Sequence, residues 1–86
     1  MTSVEPLPEN PASRLTVTLR DTREGLGRIV STLRSVPVSE LTYRVSEDTR
    51  ATAEIVLAPA DAPRARRRLH RMVDVLAVTE ATTRTP

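Results

Sequence analysis

Between Ala62 and Glu80 the sequence changes its period with almost no loop in between. Ala65, Leu69, Met72, Val73 and Leu76 recur at helical spacing and predict one apolar stripe to lie on a sheet. Arg64, Arg67, Arg68 and Arg71 fall on the other side. From Val75 the apolar residues run on as a short strand-like segment that ends at Glu80 and a polar tail over residues 83–86. A helix that hands over directly to a strand is the closing half of a small α/β unit.

The rest of the chain supplies the partners for that half. Residues 1–13, with Pro6, Pro8 and Pro11, read as a disordered lead. Arg14 to Arg20 alternates, with Leu15, Val17 and Leu19 on one face and Thr16, Thr18 and Arg20 on the other, which predicts a half-buried strand. A turn from Asp21 to Gly25 leads into a helix, with Asp21 or Thr22 as its cap and Asp21 and Glu24 at capping-box spacing. Leu26, Ile29, Val30 and Leu33 form its expected inward stripe, and Pro37 stops it.

Two more alternating segments follow, Val38 to Ser46 and Ala51 to Leu57, joined closely enough to read as an antiparallel hairpin. Asp61 is placed to cap the second helix, with Pro63 in its first turn. Strand, helix, strand, strand, helix, strand is the plan of a ferredoxin-like split βαβ sandwich. This α+β fold is a four-stranded antiparallel sheet with two helices on one face. The single domain is expected to span residues 14–82. The face away from the helices would carry Thr16, Thr18, Thr42, Arg44, Thr52 and Glu54, interrupted by Val56.

A domain of 86 residues has a small core and needs support from disulfides, a metal or oligomerisation. Cysteine is absent and histidine occurs once, so pairing with a second copy is the support left. One tyrosine, with no phenylalanine or tryptophan, means an aliphatic core. All thirteen basic residues are arginine, yet the net charge is only +2. No apolar run reaches membrane-spanning length and no secretory segment opens the chain, so a soluble cytoplasmic protein is expected, without a membrane partner.

Three stretches carry a family likeness: LTVTLRDTREGLGRIV, then Ser39-Glu40-Leu41-Thr42, then LHRMVDVLAVTE. In this order and spacing the chain resembles the ACT domain, most closely the short regulatory subunit of acetolactate synthase. The resemblance implies a non-catalytic accessory subunit of branched-chain amino-acid biosynthesis, with no cofactor of its own. Its partners would be a second copy in a homodimer, the larger catalytic synthase subunit, and a small amino acid such as valine. It also implies an effector site at Asp21, Thr22, Arg23, Glu24, Gly25 and Leu26, set against the partner domain. The amides of a helix N-terminus attract a carboxylate, and a glycine lets a ligand approach the backbone. The family's turn proline is missing. With Leu26 as the motif leucine, Glu24 stands where the family has glycine, adding a negative charge beside a carboxylate site.

Other readings stay open beside this one. The same turn can be a helix start and nothing more, which leaves a stand-alone amino-acid sensor or an ACT-like interaction module without the pocket. The arginines of the second helix can be a solvated face or a docking surface for an acidic partner through Arg64, Arg67, Arg68 and Arg71. Nucleic acid fits them poorly, because Asp61 and Asp74 flank the run and stacking aromatics are missing. Gly27 within the first helix suggests close packing. His70 has no second ligand nearby in sequence, and no serine or threonine has an adjacent base, so no catalytic or metal constellation assembles. Glu40, Glu47, Asp48 and Glu54 are expected to pair with Arg44 and Arg50.

Overall fold

The computed structural model describes residues 11–20, 23–46 and 50–83. Elements follow in the order β1 (Ala12–Arg20), α1 (Gly25–Thr32), β2 (Glu40–Val45), β3 (Arg50–Leu57), α2 (Ala62–His70) and β4 (Val75–Thr83). A single 3-10 turn, Pro59–Asp61, leads into α2. The strands form one sheet in the order β2-β3-β1-β4, antiparallel throughout. This is the ferredoxin-like βαββαβ sandwich that the strand and helix periods predict.

Register fixes which residues share a face. Leu15 stands opposite Ile55, Val17 opposite Ala53, and Leu19 opposite Ala51. Leu41 and Tyr43 continue those rows onto β2. Ile29 and Leu33 from α1 and Ala62, Ala65 and Leu69 from α2 close over them, and the central leucines and isoleucines have no exposed surface. Each such side chain contributes roughly 1.5–3 kcal/mol through burial. Alanines at 51, 53, 62 and 65 set the close spacing of helices and sheet. β1 begins at Ala12, two residues before its alternation is evident, and Ser13 is fully buried, its Oγ within 3.5 Å of Glu80 Oε2.

Both helices depart from the expected stripes. In α1 only Ile29 and Leu33 of the four residues face inward, while Leu26 is 40% and Val30 56% exposed. Its inward line runs instead through Gly25, Ile29 and Leu33, and it ends at Thr32, well before Pro37. Tight turns follow, with the Arg34 amide donating to Ser31 and the Val36 amide to Leu33. The cap position is Glu24, with no side-chain cap bond, so the proposed caps Asp21 and Thr22 do not occupy it; both lie outside the described residues.

In α2 the helix ends at His70, so Met72 to Leu76 do not continue its stripe. Val73 stands 89% exposed and Leu76 48%. Asp61 does hold the cap position of α2, but its carboxylate pairs with Arg64 at 3.4 Å and makes no cap bond. No helix among the described residues is long and apolar enough to cross a membrane.

Candidate functional site

The β1–α1 turn, the first turn of α1 and the α2–β4 turn meet at one pole of the sandwich. The Arg20 amide donates to the Asp74 carbonyl at 3.0 Å, which ties the end of β1 to the α2–β4 turn. Arg28 bridges the same region through its side chain, 3.2 Å from Asp74 and 3.7 Å from Glu24. One guanidinium thus holds α1 against the turn that precedes β4.

A cleft of about 530 Å³ opens beside this bridge, lined by Arg23, Glu24, Gly27, Arg28, Ser31, Thr32, Met72 and Val73. Arg23 supplies a guanidinium without an ion pair among the described residues, and Met72 and Val73 supply an apolar wall. An ideal Cβ on Gly27 would meet nothing within 4 Å, so this glycine faces the open cleft and does not pack against a neighbour as its sequence context suggests. Gly27 and Arg28 join the cleft without a clear sequence signal beyond the glycine itself.

Of the effector residues implied by resemblance, Arg23 and Glu24 line the cleft and Leu26 points elsewhere. Asp21 and Thr22 lie outside the described residues. Gly25 is buried, and a Cβ there would collide with the Tyr43 hydroxyl oxygen. The open backbone approach expected at Gly25 is therefore taken by the protein's own tyrosine.

A second surface lies on the far side of α1. Val30, Leu33, Arg34, Val36, Val38 and Leu41 line an apolar groove of about 300 Å³ beside β2. β2 pairs only with β3, so its other backbone edge is open in the sheet, and exposed Leu26, Val30 and Val45 flank it. The opposite edge is β4.

The charged groups sort differently from the expectation. Glu54 pairs across the sheet with Arg14 at 3.5 Å, not with Arg44 or Arg50; Glu47 and Asp48 lie outside the described residues. Arg66, off the face that Arg64, Arg67, Arg68 and Arg71 share, pairs with Glu80 of β4 at 2.7 Å. His70 is exposed, and among the described residues no group of three metal-binding side chains comes together.

No protein-family model matches the sequence, and no curated protein matches it. Solved structures do. The ACT domain from the GTP pyrophosphokinase of Chlorobium tepidum superposes with a TM-score of 0.67 at 9% identity, over 81% of this chain and 84% of that one. The C-terminal domain of the MgtC protein from Mycobacterium tuberculosis gives 0.61 at 22% identity, over 92% and 93%. The chain is a ferredoxin-like βαββαβ domain with an ACT-domain-like fold.

Proposed function

We propose that this protein is a non-catalytic regulatory module that pairs with a second copy of itself and modulates a larger protein, with a small amino acid as its signal. The cleft at the α1 N-terminus carries the reading. Arg23 and the amides of the first helical turn suit a carboxylate, Glu24 suits an ammonium group, and Met72 and Val73 suit a short apolar side chain. Arg28 and Asp74 link the cleft to β4, so a ligand that prefers one arrangement of that bridge shifts its balance. Both solved relatives are domains of larger proteins, a GTP pyrophosphokinase and the MgtC protein, which supports action on a larger partner. In its narrowest form, carried by the sequence resemblance, the partner is acetolactate synthase and the signal is valine.

The second copy would cover the β2 edge together with Leu26 and Val30 of α1. Unpaired strand edges recruit strands, and an isologous pair buries the same apolar patch twice. A different observation favours an interaction module without a ligand: Tyr43 already fills the space over Gly25.

Calorimetric titration of the purified protein with valine, leucine and isoleucine separates the two, with its mass in solution measured alongside. Saturable binding to a dimer, weakened by Arg23→Ala and Glu24→Ala, is the expected result. A dimer that binds none of the three makes it an interaction module; a monomer that binds none removes the proposal altogether.

A further inference from the structure

Arg64, Arg67, Arg68 and Arg71 follow one another along α2 and its C-terminal cap at spacings of three, one and three residues. At about 100° per residue this stripe lies opposite Ala62, Ala65 and Leu69, the buried side of the helix. Arg66 is not part of it, being turned to Glu80. Arg68 reaches across to the turn after α1 and donates to Ser35 Oγ at 2.8 Å.

Charge accounting makes this face unusual. The described residues hold twelve arginines and only six acids. Five of those acids are already engaged, Glu24 and Asp74 with Arg28, Glu54 with Arg14, Asp61 with Arg64 and Glu80 with Arg66. Asp61 is the one acid paired within the stripe, and Arg67, Arg68 and Arg71 have no ion pair among the described residues. Guanidinium groups stacked one helical turn apart also repel each other.

We propose that the outer face of α2 docks an acidic segment of a partner protein, a helix whose carboxylates repeat at the same turns. The fork of a guanidinium matches a carboxylate in two parallel hydrogen bonds, and a helical partner reproduces the pitch of the stripe. Single-stranded nucleic acid would need exposed aromatics for stacking, and the one aromatic side chain, Tyr43, lies under α1. A membrane surface would need a row of apolar side chains beside the arginines to insert; Ala62, Ala65 and Leu69 of α2 point inward, and beyond the cap Val73 is exposed singly. This surface is independent of the cleft, so it stands or falls apart from any small ligand.

The test uses the full chain and a fluorescent helical peptide of about 14 residues, roughly four turns, with glutamates repeating on one face. Anisotropy is read at two salt concentrations, with a scrambled peptide of the same composition as reference. The expected result is saturable, salt-sensitive binding that Arg67→Glu with Arg71→Glu weakens about tenfold or more, while Arg44→Glu with Arg50→Glu on the sheet changes it by less than about twofold. Arg71→Glu alone serves if the double variant loses its circular dichroism. Absence of binding, equal binding of the scrambled peptide, or equal loss in both double variants overturns the proposal. So does tighter binding of a single-stranded RNA oligomer or of anionic phosphatidylserine vesicles than of the peptide.

Discussion

Replacing Gly25 with alanine puts one methyl group against Tyr43, where α1 passes over β2. The new Cβ would press on the Tyr43 hydroxyl oxygen closer than non-bonded atoms come, with Leu19 Cδ1 and Tyr43 Cζ each at 3.4 Å. Relief requires the ring of Tyr43 to swing away from the core it packs against. Overfilling of this kind costs about 1–3 kcal/mol. Alanine returns about 0.5–1 kcal/mol by restricting the unfolded chain and favouring the helix. The expected net loss runs from near zero up to about 2.5 kcal/mol, at roughly 4–8 °C in Tm per kcal/mol for a domain of this size. The control is two residues away in the same helix. Gly27 has open space around its missing side chain, so Gly27→Ala is expected to gain about 0.5–1 kcal/mol. Urea unfolding followed by far-ultraviolet circular dichroism measures both, and Tyr43 is the chain's one intrinsic aromatic fluorophore. The reasoning is refuted if Gly25→Ala is as stable as Gly27→Ala. Tyr43→Phe removes the obstructing oxygen, so its combination with Gly25→Ala should cost less than the sum of the two single changes.

Three further outcomes follow from the same geometry. Ile29→Ala removes the fully buried contact of α1 and is expected to cost about 2–4 kcal/mol, enough to leave a large unfolded fraction visible by circular dichroism at 37 °C. Val30→Asp changes a side chain that is 56% exposed; it should leave the unfolding midpoint of the isolated domain nearly unchanged while sedimentation shows monomers in place of the proposed dimer. Arg28→Ala severs the bridge to Asp74 and Glu24, an open pair with Glu24 and a partly covered one with Asp74, so its stability cost should be about 1 kcal/mol. Its effect should appear locally, as faster amide exchange at the Arg20 N–H that donates to Asp74.

Strands were the most legible part of this sequence because their signal is strict. Leu15, Val17 and Leu19 alternate with polar residues, and a period of two leaves one choice of face. The α1 stripe was harder. Leu26, Ile29, Val30 and Leu33 span a wide apolar arc, and which part the sheet covers is decided by Tyr43 seating over Gly25, a tertiary contact with no local trace. Val73 was misplaced for a related reason: apolar spacing continues past His70 while the backbone has already turned. At the cleft, Arg23 and Glu24 were legible through their place in the turn. Met72 and Val73 reach it only because the α2–β4 turn folds back on α1, which no spacing within one segment announces.

The Arg66–Glu80 pair bears on how far assembly can proceed. A sheet whose two edges each accept a copy about a two-fold axis has no natural length; it grows into a ribbon. β4 is nine residues long and carries one charge, Glu80, so by sequence alone it is the more adhesive edge. Yet it also carries a register shift that leaves Leu76 extra opposite the Thr18–Leu19 step. Its carboxylate is turned to the helix side and held there by Arg66. A bulge and an inward-facing charge both discourage an incoming strand. Growth of the proposed pair joined through β2 would therefore stop at two copies, and loosening β4 by Arg66→Ala would open that pair to polymerisation.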